Sequence, residues 1–219
     1  MSDKTSIAWT DATLNFAYGC QKVSPACQNC YAIGAVDRLV SFGHRELAGA
    51  VVHSAGQSGV RTMWSERIIL KPERIDQALR WKKPRRIFIN SLSDTFHDQV
   101  PDDVLDRLWA TMAATPQHTY QVLTKRPERM LSYLRTAEVR VRMLDLCNRQ
   151  LDSVRFDWPL PNVWLGVTAE GQASADRRIP LLLQTPAAVR FVSMEPLLGP
   201  VDLTMLGYDP PGHGTGPWK

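Results

Sequence analysis

Four short apolar runs, rich in β-branched and aromatic residues, stand out along the chain from residue 86 onward. They are Arg86-Ile87-Phe88-Ile89-Asn90, Tyr120-Gln121-Val122-Leu123-Thr124, Val163-Trp164-Leu165-Gly166-Val167 and Val189-Arg190-Phe191-Val192-Ser193. Each is bounded by polar or turn-forming residues, which predicts buried strands. Between them the apolar positions recur at helical spacing. After Pro101-Asp102-Asp103 come Val104, Leu105, Leu108, Trp109 and Met112, a stripe that opens with proline and acids where the helix dipole favours them. After Pro127-Glu128 come Met130, Leu131 and Leu134, then a second stretch through Val141, Leu144 and Leu151. Ala173 to Leu183 reads as another helix, with a break or kink expected at Pro180. Pro72 to Leu79 predicts a short helix before the first strand, and the residues from Cys30 to about Arg38 predict one near the start.

Strands and helices in alternation call for a parallel sheet with right-handed crossovers, hence an α/β fold. Both an open doubly wound sheet and a partial (β/α) barrel satisfy this order. No strand leads into G-x-G-x-x-G or a P-loop, so nucleotide-binding folds of those two kinds have little support. A single domain over residues 1–207 is expected. The tail 208–219, rich in proline and glycine, is expected to be disordered and cannot supply a strand.

Each predicted strand runs into polar residues. The exits are Asn90-Ser91-Leu92-Ser93-Asp94, Thr124-Lys125-Arg126-Pro127, Thr168-Ala169-Glu170 and Ser193-Met194-Glu195-Pro196. In parallel α/β folds these ends converge on one rim, where ligands bind. Any one of them could instead be a helix cap, Ser93 or Asp94 above all. Four polar exits in succession favour the rim.

Three of the four cysteines fall in Gly19-Cys20-Gln21-Lys22-Val23-Ser24-Pro25-Ala26-Cys27-Gln28-Asn29-Cys30-Tyr31, spaced C-x6-C-x2-C. Disulfides need pairs and a structural zinc needs four ligands. Zinc would draw its fourth ligand from His44, His53 or Cys147, none of which belongs to a second half-site. The other reading is an iron–sulfur cluster held by three thiolates, with one iron open to an exogenous ligand. The spacing leaves both open. Cys147 lies in a helical pattern beside Leu144 and Leu146 and reads as a buried small hydrophobe.

Several long motifs resemble a phage and prophage family, the "gp thirty-seven / gp sixty-eight" proteins with a three-cysteine motif. They are Ile7-Ala8-Trp9-Thr10-Asp11-Ala12-Thr13-Leu14-Asn15, Gly19-Cys20 through Cys30-Tyr31-Ala32, Pro84 to Asp94, Gln121 to Met130, Val163 to Val167 and Arg190 to Gly199. The resemblance spans Ile7 to about Asp202. That family is distantly similar to radical SAM enzymes. The resemblance therefore implies a TIM-like (β/α) barrel, partial here and lacking its last strand or strands. It implies a [4Fe–4S] cluster on Cys20, Cys27 and Cys30 whose open iron chelates S-adenosylmethionine, and a reductant protein such as a flavodoxin. The exit Asn90 to Asp94 would stand where that superfamily contacts the cofactor's amino group, with Ser91, Ser93 and Asp94 as acceptors. By donor and acceptor type, Lys125 and Arg126 suit its carboxylate or a substrate phosphate, and Glu195 suits a ribose hydroxyl. The chain departs from the usual radical SAM pattern in its first gap, six residues where three are common, and in Asn29, where an aromatic is common.

Composition adds little. Of 219 residues, 44% are hydrophobic and 22% charged, as in ordinary globular proteins, and no apolar run is long enough to span a bilayer. The N-terminus carries no signal-peptide pattern, so the cytoplasm is expected, where thiols stay reduced. Net charge is +4. That is compatible with a nucleic acid or nucleotide substrate, although the basic residues read as scattered pairs: Arg85-Arg86, Lys125-Arg126 and Arg177-Arg178. The tryptophans, among them Trp9, Trp64, Trp81, Trp109 and Trp164, read as packing residues. His97 follows Asp94 closely enough to reach the rim. Three functional expectations result: a radical SAM-like iron–sulfur enzyme, a zinc-stabilised nucleic-acid-binding protein without catalysis, or an inactive truncated member of the family.

Overall fold

All four apolar runs form strands, and a fifth, Ala12–Leu14, completes their sheet. The last run, Val189–Ser193, is not buried as the pattern predicts, because it lies at the sheet edge with no strand on its outer side among the described residues. The computed structural model describes residues 5–56, 59–150 and 155–204. In chain order the elements are β1 (Ala12–Leu14), β2 (Ala17–Tyr18), α1 (Tyr31–Ser41), β3 (Val51–Gly56), β4 (Gly59–Trp64), β5 (Ile69–Leu70), α2 (Gln77–Arg80) and β6 (Arg86–Ile89). They continue with α3 (Asp102–Ala114), β7 (Thr119–Thr124), α4 (Pro127–Arg135), α5 (Ala137–Gln150), β8 (Val163–Thr168), α6 (Gln172–Gln184) and β9 (Val189–Ser193). The central sheet has the order β1-β6-β7-β8-β9, every neighbour pair parallel. That order follows the chain without reversal, whereas a doubly wound sheet reverses at a switch point.

Alternation along the strands separates two faces. Ile87, Ile89, Tyr120, Val122, Val163, Leu165 and Val167 are buried against the helices, with Leu105, Leu108, Trp109 and Met112 of α3 in the same core. Each such aliphatic side chain contributes roughly 1.5–3 kcal/mol when taken out of water. The opposite face carries Phe88, Gln121, Leu123 and Trp164, in register across β6, β7 and β8. There Gly166 makes room for the Phe191 ring, which lies 2.5 Å from where a Cβ on Gly166 would sit.

Three details depart from the sequence pattern. In α5 the stripe Val139, Met143 and Cys147 is buried, while Val141 and Leu144 face solvent; Leu151 lies outside the described residues. The buried set has strict i, i+4, i+8 spacing, one turn-to-turn row along the helix. Helix α6 continues through Pro180 without ending, because Ile179 and Leu182 on either side are buried and hold it to the sheet. The stretch from Pro72 is a 3-10 turn, Pro72–Arg74, followed by the four-residue α2, rather than one helix.

A smaller layer sits beside the sheet. The antiparallel hairpin β3–β4 was not anticipated, since its exposed strands lack a clean apolar alternation. It joins α1 through Val36, Leu47, Val51 and Trp64. His53 Nε2 meets Asp37 Oδ1 of α1 at 2.9 Å, and Thr62 donates to the other oxygen at 3.1 Å. Strands β2 and β5 pair antiparallel and tie the start of the cysteine loop to this layer. Among the described residues, no helix is long and apolar enough to cross a membrane. The tail 208–219 lies outside the described residues.

Candidate functional site

The cysteine loop leaves β2 through Gly19, whose φ of +99° belongs to the left-handed region that favours glycine. A Cβ there would stand 2.3 Å from the Arg67 carbonyl oxygen. The chain thus turns sharply into Cys20. A 3-10 turn, Pro25–Cys27, then carries Cys27, closed by the Cys27 N–H donating to Ser24 O at 3.0 Å. Cys30 is the residue before the first turn of α1.

On the other side the β6 exit is braced by two asparagines. Asn90 takes a left-handed conformation, φ 55°, which asparagine tolerates better than most residues. Its Oδ1 accepts from the Phe16 and Ala17 N–H groups at 3.1 and 3.2 Å. Asn15 Oδ1 accepts from Ser91 Oγ at 3.1 Å and from Leu92 N at 3.3 Å. Ser93 donates to Gly19 O at 2.6 Å, and Tyr31 donates to Ser91 O at 2.8 Å. The exits of β2 and β6 are stitched together before any ligand is considered.

The result is one cavity of about 540 Å³ at the C-terminal ends of the parallel strands. All nine residues singled out from the sequence line it: Cys20, Cys27, Cys30, Ser91, Ser93, Asp94, Lys125, Arg126 and Glu195. Its floor includes Phe88 and Leu123.

The cations reach the thiols. Lys125 Nζ lies 3.7 Å from Cys27 Sγ and 3.2 Å from Ser24 Oγ. Arg126 Nη1 lies 3.8 Å from Cys20 Sγ and 3.1 Å from Asp94 Oδ2. The two thiols therefore differ. Burial pushes the Cys20 thiol up to about 11, with the Asp94 carboxylate adding to it and Arg126 opposing it. Burial also acts upward on Cys27, but the Ser24 hydroxyl, backbone N–H donation and Lys125 outweigh it, and the Cys27 thiol is held below its ordinary value.

Behind the cations stands a residue that sequence reasoning named only as part of an exit. Glu170 is buried, with Oε1 3.5 Å from Lys125 Nζ and Oε2 2.6 Å from Arg178 Nη1. Burial alone would raise its carboxyl, yet Ser24 and Arg178 more than offset that, and it stays ionised below the usual carboxylate range. Arg178 also donates to Thr168 O at 2.6 Å, fastening α6 to the β8 exit. The only sequence hint was an acid three residues past a strand.

Capping does not explain the exits. Neither Ser93 nor Asp94 caps a helix; α3, α4 and α6 begin after Pro101, Arg126 and Gly171. Asp94 is instead a hub, accepting from Phe96 N at 3.0 Å, Thr124 Oγ1 at 2.6 Å, Lys125 N at 3.0 Å and Arg126. With both oxygens so engaged, it serves to shape the rim. Glu195 is exposed at the mouth.

The residues considered as a fourth zinc ligand do not line this cavity. His53 pairs with Asp37, His44 lies 3.5 Å from Glu46, and Cys147 is buried in the helical layer with its thiol directed at Ala110 O. His97 is buried away from the lining, its Nδ1 accepting from Gln99 N at 3.2 Å. Among the described residues, no group of three or more His, Cys, Asp or Glu side chains is gathered closely enough to hold a metal ion.

Fold and cavity together define a parallel α/β protein with a thiol-lined, cation-flanked cavity at the C-terminal ends of its strands. A family model described as a protein of unknown function (DUF5131) matches residues 4–217, and the chain belongs to that family. No curated protein matches the chain, and no solved structure does.

Proposed function

We propose that Cys20, Cys27 and Cys30 hold an iron–sulfur cluster and that the protein is a radical SAM-like enzyme built on a partial (β/α) barrel. One observation carries the reading: three thiols line a single cavity whose two cations, Lys125 and Arg126, each reach one of the sulfurs. The sequential strand order, all parallel, supports the barrel.

Among the described residues no three ligating side chains are gathered around one point, which favours a cluster over a single ion. A tetrahedral zinc brings every sulfur to about 2.3 Å of one point. Three thiolates of a four-iron cluster each take a different iron, so their sulfurs stand apart around a cavity. When bound, such a cluster supplies an electron and one open iron, the position that S-adenosylmethionine occupies in radical SAM-like chemistry.

The chain's own residues then have definite tasks. Lys125 and Arg126 stabilise the Cys27 and Cys20 thiolates by charge and by N–H···S donation. Glu170 and Asp94 hold those two cations in place. The Ser91 and Ser93 hydroxyls, having donated to Asn15 and Gly19, keep lone pairs on the cavity side to accept from an ammonium. Glu195 at the mouth is an acceptor for a hydroxyl. Phe88 and Leu123 offer an apolar floor that excludes water. The reading requires a reductant protein such as a flavodoxin.

The test is iron, acid-labile sulfide and zinc content of anaerobically purified protein, beside a Cys27→Ala variant. About four irons and four sulfides per chain, lost in the variant, are expected. One zinc and no sulfide would overturn the proposal and make the cysteines a structural clip.

A further inference from the structure

The basic residues are less evenly spread than the isolated pairs suggest. The segment Arg80-Trp81-Lys82-Lys83-Pro84-Arg85-Arg86 holds five cations and no acid. The whole chain has 26 Lys and Arg against 22 Asp and Glu, so everything outside these seven residues holds 21 against 22. One short tract therefore accounts for the entire net positive charge.

The fold displays this tract on a fixed frame. It runs from the end of α2 to the first residue of β6, so it lies at the N-terminal end of the sheet, opposite the cysteine cavity. Trp81 is buried and anchors it. The Arg85 guanidinium lies over the Trp81 ring, 4.8 Å from its centroid. Thr119 N donates to Arg85 O at 2.9 Å, Asp11 N to Arg86 O at 3.0 Å, and Arg86 N to Asp11 Oδ2 at 2.8 Å. The backbone is thus pinned at its Arg85–Arg86 end, and the buried Trp81 holds the other. Arg80, Lys82, Lys83 and Arg86 are exposed. Asp11 meets Arg86 at 3.4 Å, but among the described residues no acidic side chain forms an ion pair with Arg80, Lys82 or Lys83.

We infer that this tract is a docking surface for the phosphate backbone of double-stranded nucleic acid, read without regard to sequence. Clustered cations on a fixed segment, with Arg80, Lys82 and Lys83 exposed and outside any ion pair among the described residues, are suited to releasing the counterions condensed on a duplex. Single-strand binders add exposed aromatic faces on which bases stack. Here the tract's one aromatic, Trp81, is buried and its ring is covered by Arg85. A membrane-docking basic tract adds an exposed apolar anchor. The tract itself holds no exposed large apolar side chain. The inference is independent of what the cysteines bind.

The test is fluorescence anisotropy with a labelled duplex of about 20 base pairs of arbitrary sequence, titrated between roughly 50 and 200 mM salt. With about three phosphate contacts, from Arg80, Lys82 and Lys83, affinity should fall roughly 10–100-fold across that range, a log–log slope of about −3. The triple variant Arg80→Gln, Lys82→Gln, Lys83→Gln should bind roughly tenfold more weakly or worse, with the slope reduced by about 3. These side chains are exposed, so its circular dichroism and melting should match the parent. Cys27→Ala should bind like the parent, which separates this surface from the cavity. Equal duplex binding by parent and triple variant would overturn the inference. So would tighter binding to phosphatidylserine-containing vesicles, or to a single strand, than to the duplex.

Discussion

Asp94 and Arg126 form an ion pair across the exits of β6 and β7, Oδ2 to Nη1 at 3.1 Å, with side chains only 8% and 11% exposed. The same guanidinium nitrogen lies 3.8 Å from Cys20 Sγ. One carboxylate therefore positions the cation that faces the first cysteine. Asp94→Asn leaves Arg126 without its counter-charge in a nearly dry site, and removal of one partner from a buried pair typically destabilises by about 3 kcal/mol. Urea unfolding should show that loss as a lower midpoint at unchanged slope. A midpoint within error of the parent would mean the pair does not hold the rim together.

The two thiols should be distinguishable by their chemistry alone. Alkylation by iodoacetamide requires the thiolate. In metal-free protein Cys27, held below its ordinary value, should react at lower pH than Cys20, which is pushed up to about 11. Lys125→Met should move the Cys27 profile to higher pH, since one of the groups favouring its thiolate is gone. Mass spectrometry of peptides labelled over a pH series reads both. Faster labelling of Cys20 at neutral pH would contradict the geometry.

Acid should destabilise the fold through two buried histidines. Burial lowers His97, with Arg126 adding to the effect, and burial lowers His118 despite the carbonyls of Ala78 and Trp81. The unfolded chain then binds protons more readily than the folded one. The stability these residues contribute is present above about pH 6.5 and is lost as pH falls through their depressed folded values. The melting temperature should drop between pH 7.5 and 5.5 by roughly a few degrees, and His118→Asn should flatten that slope. A melting temperature that rises on acidification would refute this.

Gly19 should tolerate nothing larger. Gly19→Ala combines a left-handed backbone with a Cβ placed 2.3 Å from Arg67 O, a contact that backbone cannot easily relieve. A loss of roughly 2 kcal/mol or more is expected, together with altered labelling of Cys20 next door. Unchanged stability and labelling would show that the loop can reach its position by another path.

The α/β class was legible because the strands Arg86–Ile89, Thr119–Thr124, Val163–Thr168 and Val189–Ser193 are short runs rich in β-branched and aromatic residues and the helices between them carry clear stripes. Periodicity and burial agree for the first three; Val189–Ser193 lies at the edge of the sheet, and none of its residues is buried. β1 was hidden because Ala12–Leu14 is only three residues long, and it is a strand only because β6 offers it a parallel partner. The hairpin β3–β4 was hidden because its burial is lopsided, with Val51 and Trp64 inside and most of the rest in solvent.

The candidate site divides in the same way. Local pattern was enough to nominate Cys20, Cys27 and Cys30 and the polar residues that follow each strand, since thiols at short spacing and charges at strand ends are visible one segment at a time. Which nitrogen faces which sulfur was not. Lys125 reaches Cys27 across 98 residues of chain and Arg126 reaches Cys20 across 106. Glu170 acquires its place behind Lys125 only because β7 and β8 are adjacent, and Arg178 reaches it only because α6 folds back along β8. Such pairings follow from strand order and register, which arise when the whole sheet buries its apolar face at once. The chemistry of each segment is local, and its partners are set by packing.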